Sequence, residues 1–302
     1  MNSDNVLNLL PAVKAGDRPK VAIFLSGSGT NAEKLLESHD DHSSWQPVVL
    51  VTDRPKTSRA FELGKMFGLP VIALGIKDFY NRHGEKQVTL FTERGRELRE
   101  MWTEQLRREV EPYNIDFIVL AGFVPLTNIT NDFPCLNVHP GDLTVEEKGR
   151  RVLVGLHTVP IEEALVRGFY YLRSSVIMAQ PYTGEGDDMD SGPVLGISAP
   201  VKAFTGEYQA EYLTEIRENR PSQKPFEGWR DSLEVLALKN QDILKEAGDW
   251  VVLPGVVEDF AADRFGIYGG QLFYRAESTS EWKQIKTIEY SINGKSLIYQ
   301  DS

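Results

Sequence analysis

At 302 residues, with 41% hydrophobic and 25% charged side chains, the chain can bury a sizeable core and has the composition of an ordinary globular protein. A formal net charge of -11 opposes a nucleic-acid-binding surface as its main business and favours a small-molecule partner. The single cysteine, Cys135, excludes an intrachain disulfide and a multi-cysteine metal site, and no apolar run approaches the roughly 20 residues that span a bilayer. The start Met1-Asn2-Ser3-Asp4 lacks a basic stretch followed by an apolar run, so the expected location is the cytoplasm, with no membrane partner.

Residues 1–18 read as a surface arm. Residues 21–25 are a continuous apolar run, as expected of a strand buried on both faces of a parallel sheet. They feed directly into Ser26-Gly27-Ser28-Gly29-Thr30-Asn31 and a helical pattern from Ala32 to Glu37. A strand, a glycine-rich turn and a helix start in that order form an anion site, because the glycines admit a phosphate and the first helical amides point at it. The run lacks the Gly-Lys-Ser/Thr of a Walker loop and the full Gly-x-Gly-x-x-Gly of a dinucleotide turn, so a plain turn capped by Ser28 or Thr30 competes with the phosphate reading.

A second unit follows, with a strand at 47–51, a helix at 58–67 ended by Gly68, and a strand at 70–74. Strands alternating with helices predict right-handed crossovers and a doubly wound, mostly parallel sheet, whose ligands lie beyond the carboxyl ends of the strands. Residues 78–110 read as one long helix with Phe91, Leu98, Met101, Trp102 and Leu106 on its apolar stripe. A strand at 116–121 ends at Gly122, and a loop leads to Leu136-Asn137-Val138-His139-Pro140. Two residues apart in a strand, Asn137 and His139 share a face, so an amide and an imidazole meet the same ligand. Such a pair suits a reaction in which negative charge develops on a carbonyl oxygen.

Beyond this point residues 144–154 read as a charged mobile loop, 158–167 as a short helix and 174–179 as a strand. The loop 183–193 is rich in glycine and acid, but its spacing does not match a calcium loop, and no metal is expected. After a strand at 194–200 the pattern changes, dividing the chain into an α/β domain at 1–205 and a C-terminal extension at 206–302. In the extension, Leu233, Leu236, Ala237, Asn240, Ile243 and Leu244 form one helical face, and a helix at 249–260 is expected to break at Pro254-Gly255. Gly269-Gly270 and Asn293-Gly294 mark two hairpins, suited to covering a sheet edge or to forming a homodimer contact. No catalytic constellation is expected here. His39, His42 and His83 read as surface residues and Cys135 as a buried one.

Taken together, Ser26 to Asn31, residues 116–123, Leu136 to Pro140, Leu156-His157-Thr158 and Asp190-Ser191-Gly192-Pro193-Val194 resemble, in order, the motifs of the folate-dependent formyltransferases. The resemblance covers roughly residues 20 to 200. It implies a Rossmann-like formyltransferase fold and transfer of a formyl group from 10-formyltetrahydrofolate, as co-substrate, to a primary amine. By the family pattern Asn137, His139 and Asp190 are the catalytic trio. Gly27, Ser28, Gly29, Thr30 and Asn31 bind the acceptor's phosphate, and Phe123, Val124, Leu126 and His157 line the folate site. The intact Gly29-Thr30-Asn31 loop makes glycinamide ribonucleotide, and so purine biosynthesis, the first choice of acceptor. An amino sugar nucleotide, hydrolysis of the donor, and folate binding with little catalysis are the alternatives. Departures lie at Gly141-Asp142-Leu143-Thr144, where the family usually has Ser-Leu-Leu-Pro, at Val124-Pro125 for Met-Arg, and at Leu172-Arg173-Ser174-Ser175 for His-Gly-Thr-Ser, all expected on the pocket walls.

Overall fold

In the computed structural model, which describes residues 5–182, 190–225, 227–277 and 280–300, the first long strand shows why the sheet is covered on both sides. Strand β1 (Lys20–Phe24) sends Val21 and Ile23 into a layer with Leu35, Val252 and Phe260, and Ala22 and Phe24 into a second layer with Leu98, Trp102 and Leu106. Period-two alternation between two apolar layers produces an unbroken apolar run. Strands β2 (Gln46–Thr52), β3 (Val71–Ala73), β4 (Phe117–Leu120) and β5 (Cys135–His139) complete a parallel set in the order β3-β2-β1-β4-β5. Strand β6 (Ser175–Met178) runs antiparallel to both β5 and β7 (Val194–Ser198). The predicted doubly wound, mostly parallel sheet is thus present, with an antiparallel strand inserted after β5.

The C-terminal hairpin β8 (Thr287–Ser291) and β9 (Gly294–Ile298) extends this same sheet, because β8 pairs parallel with β7. It covers the β7 edge, one of the two roles expected for it. The other hairpin, Phe265–Tyr268 with Gln271–Tyr274, turns at Gly269-Gly270, where φ values of 58° and 76° demand glycine. Both hairpins are tied to a helix at Trp250–Ala261 through the buried Asp259, which accepts from Tyr290 Oη (2.7 Å), Tyr274 Oη (3.3 Å), Lys295 Nζ (2.6 Å) and Arg264 Nη1 (2.6 Å). Among the described residues no helix is long and apolar enough to cross a membrane.

Several elements differ from expectation for identifiable reasons. The long helix at 78–110 is two helices, Ile76–Arg82 and Glu93–Val110. Gly84, at φ 85°, stops the first, and Thr92 caps the second by accepting from the Gly95 amide at 3.0 Å. Phe91, expected on the apolar stripe, therefore lies in the intervening loop and is 98% exposed. Met101 is also exposed, while Leu98, Trp102 and Leu106 are buried. The loop 144–154 contains a short hairpin, Glu146–Glu147 with Arg150–Arg151. A helix at Ala210–Glu218 lies in the polar stretch that follows residue 203.

Helix Trp250–Ala261 runs through Pro254 instead of breaking there. A π-helical turn at Lys245–Asp249 immediately upstream already shifts the hydrogen-bond register, so the missing proline donor falls next to an existing interruption. The last hairpin turns at Ile292-Asn293, because Ser291 pairs with Gly294 and that glycine belongs to the strand.

Candidate active site

The chain leaves β1 towards β2 and β3 and returns as β4 on the other side of β1, so the loops after β1 and β4 diverge. That divergence opens a crevice at the carboxyl ends of the strands, the usual ligand position in such sheets. Ser26 ties the two loops together: its Oγ donates to Asp53 Oδ1 at 2.5 Å and accepts from the Val124 amide at 2.9 Å. Burial pushes the Asp53 carboxyl up, with the Ser26 bond and Arg54 opposing.

A cavity of about 340 Å³ lies here, and every residue from Ser26 to Asn31 lines it. Gly29 has φ 65°, and a Cβ there would stand 2.8 Å from Leu25 Cδ1 and 2.9 Å from Leu63 Cδ1, so this position accepts only glycine. The helix that follows, Thr30–Glu37, has no side-chain cap, contrary to the plain-turn alternative with a Ser28 or Thr30 cap, so its first amides face the cavity without an intramolecular side-chain acceptor. Asn31 is committed to the scaffold as well: its Nδ2 donates to Asp249 Oδ2 (2.8 Å) and its Oδ1 accepts from Trp250 Nε1 (3.1 Å).

Asn137, His139 and Asp190 reach the same cavity from the end of β5 and from the loop before β7. His139 is buried, and its Nε2 lies 2.7 Å from the Leu153 carbonyl. A carbonyl only accepts, so Nε2 carries the proton and Nδ1 is left facing Asp190 Oδ2 at 3.9 Å. The earlier part of the acidic loop, residues 183–189, lies outside the described residues. His157, also at the cavity, holds a left-handed φ of 55°; although the residue is exposed, desolvation by the surrounding chain, then the Arg54 and Lys224 charges, keep its imidazole below the usual range.

The expected folate-site residues divide. Val124 borders both this cavity and an adjoining apolar groove of about 900 Å³, Leu126 borders only the groove, and Phe123 and His157 border only the cavity. The Phe123 ring is buried on Phe24 and Trp102, so it also serves the core. Ile76, Val88, Leu90, Phe91 and Tyr182 add to the groove's apolar walls, with Arg54 shared between the two spaces. Arg99, buried in the groove wall, donates through Nη1 to the Leu126 carbonyl at 2.6 Å, while its buried Nε has no hydrogen-bond partner among the described residues.

Three cavity residues come from the extension, where no constellation was expected: Gln241, Lys245 and Asp249. The π-helical turn carries Lys245 and Asp249 to the cavity. Asp249 also accepts from Ser174 Oγ at 2.5 Å, and its burial raises the carboxyl above the ordinary aspartate range. The helical pattern at 249–260 carries no mark of this role; the contacts with Asn31, 218 positions away, and with Ser174 reveal it. The departure at Leu172 to Ser175 is likewise explained by the extension. Arg173 pairs with Glu289 at 2.5 Å and Ser174 with Asp249, so these side chains fit the added elements rather than the pocket walls.

Comparison with known proteins agrees with this architecture. Residues 19–143 match the formyl transferase family model. The chain is 29% identical over 188 residues to the chloroplastic phosphoribosylglycinamide formyltransferase of Arabidopsis thaliana, covering 60% of this chain and 55% of that one, so it spans about half the length of that relative. In three dimensions it is similar to a phosphoribosylglycinamide formyltransferase from Coxiella burnetii, with TM-score 0.55, 17% identity, and coverage of 86% of this chain and 95% of that one. A formyltetrahydrofolate deformylase from Pseudomonas syringae pv. tomato gives TM-score 0.55 at 14% identity, over 85% and 66% of the two chains. At these identities the structural likenesses establish the fold alone.

Proposed function

We propose, from the premise that residues 19–143 place this chain in the formyl transferase family, that it transfers a formyl group from 10-formyltetrahydrofolate to the primary amine of a phosphorylated acceptor, with glycinamide ribonucleotide as first choice. The observation that carries the reading is one cavity lined by Asn137, His139 and Asp190 together with the uncapped Gly27 to Asn31 loop. The loop suits a phosphate, and Lys245, which also lines the cavity, adds a cation.

The chemistry follows from those groups. The acceptor amine attacks the formyl carbon, and the carbonyl electron pair moves to oxygen, giving a tetrahedral oxyanion. The Asn137 amide and a protonated His139 stabilise that charge. Asp190, facing His139 Nδ1, takes up the proton that the attacking amine must lose. The carbon–nitrogen bond to the folate then breaks, the folate nitrogen is protonated, and the products are the N-formyl amine and tetrahydrofolate. The adjoining groove suits the donor: its apolar walls fit aromatic rings, and the Arg99 and Arg54 guanidiniums fit carboxylates.

The test is a steady-state assay with 10-formyltetrahydrofolate, following tetrahydrofolate release with and without glycinamide ribonucleotide. Release that requires the amine supports the proposal. Equal release without it identifies a hydrolase instead, and donor binding without release for any amine overturns catalysis.

A further inference from the structure

The charged loop that follows Gly141 to Thr144 touches both ionisable members of the trio. From the hairpin, Arg151 donates through Nη1 to the Asp190 carbonyl and through Nη2 to the Gly192 carbonyl at 2.8 Å. Two residues later, the Leu153 carbonyl accepts a hydrogen bond from His139 Nε2. Gly192 is pressed from the other side: a Cβ there would lie 1.8 Å from the Met178 carbonyl oxygen. Asp190 to Gly192 is therefore gripped between the Arg151 fork and β6. Gly141, where the family has serine, fits the same design, since a Cβ would stand 2.6 Å from Leu153 O and 3.1 Å from His139 Nε2.

We infer that Arg151 is a positioning residue, holding the backbone of Asp190 and Gly192 so that the Asp190 carboxylate faces His139 Nδ1. The planar guanidinium spans two carbonyls in one geometry, which a lysine ammonium does not reproduce. Its hydrogen-bond partners are neutral carbonyls, and burial pushes the guanidinium pKa down against the opposing Glu146 and Asp190 charges, so the arrangement costs solvation and returns geometry. Arg151 acts through backbone and touches no reacting atom. Its catalytic consequence rests on the proposed function, but its hold on the loop is measurable without turnover.

The experiment compares Arg151→Ala, Arg151→Lys and the control Arg150→Ala, whose parent side chain is exposed. Amide hydrogen exchange over residues 190–196 is expected to rise about tenfold or more in both Arg151 variants and to stay at the wild-type rate in the control. The formyl-transfer kcat is expected to fall about 10–100-fold in Arg151→Ala, with the acceptor KM changed less than about threefold. Millimolar guanidinium, but not sodium, is expected to restore part of that loss, and Arg151→Lys is expected to remain impaired. Exchange in Arg151→Ala or Arg151→Lys equal to the control overturns the inference, as does an unchanged kcat alongside an active wild type. A wild type without formyl transfer overturns the proposed function instead, and the exchange comparison still decides whether Arg151 holds the loop.

Discussion

Replacing Gly141 by alanine tests whether the Leu153 carbonyl holds His139, with steric consequences that follow from the geometry. Gly141 does not need a positive φ, so the added methyl acts through contact alone. The new Cβ would lie 2.6 Å from Leu153 O, and reaching an ordinary contact of 3.4 Å requires a shift of about 0.8 Å in the backbone. Taken along the hydrogen bond, that shift stretches the 2.7 Å contact to His139 Nε2 to about 3.5 Å, at the edge of any useful bond. Losing one buried hydrogen bond costs ~1 kcal/mol. Overpacking against Leu153 and Pro160 adds ~1–3 kcal/mol. A total of about 2–4 kcal/mol lowers the melting temperature of a chain of 302 residues by roughly 3–6 °C. With the imidazole no longer fixed, kcat should fall about 10–100-fold. Calorimetry and the formyl-transfer assay read the two effects separately. Serine, the family's usual residue, should fare no better, because its Cβ meets the same carbonyl. A melting temperature within about 1 °C of wild type and an unchanged kcat would refute the reasoning.

His139→Ala should lower turnover by about 100-fold or more with the circular dichroism spectrum unchanged, and near-normal turnover would remove His139 from the reaction. Thr30→Asp places a negative charge at the first residue of the uncapped helix, so the acceptor KM should rise in the same assay; an unchanged KM would take the loop out of the acceptor site. Burial holds the Asp249 carboxyl above its ordinary range, so the folded chain keeps this proton to higher pH than the unfolded chain does. Its contribution is most favourable below the unfolded value of about 3.9 and is lost as pH rises through the folded value. Urea titrations at a series of pH values should therefore show wild type losing stability relative to Asp249→Asn as pH rises above about 4. A difference between the two proteins that does not vary with pH would contradict the assigned burial.

The parts legible from sequence were those whose signals are local. Residues 21–31 announced strand, glycine turn and helix because buried alternation and helix entry are written in adjacent positions. Asn137 and His139 could be placed on one face because a strand's period is two. The Phe91 misplacement shows the limit of that reasoning: a helical stripe continued across Gly84 and Thr92, which stop one helix and cap the next. Likewise the pattern at 249–260 was helical as expected, yet nothing local showed that the π-helical turn before it absorbs Pro254 and brings Lys245 and Asp249 to the cavity.

The sequence by itself determined the parallel α/β architecture and the family resemblance, and it singled out Asn137, His139 and Asp190 as candidates, all carried by short motifs. Only the tertiary structure decided that Asn31 is bound to Asp249, that Ser174 and Arg173 serve the C-terminal elements, and that Arg151 and Leu153 reach Asp190 and His139. Those contacts join residues from 14 to 218 positions apart. Hydrogen bonds of that kind depend on how packed layers bring distant segments together, and they leave no periodicity in the chain from which they can be read.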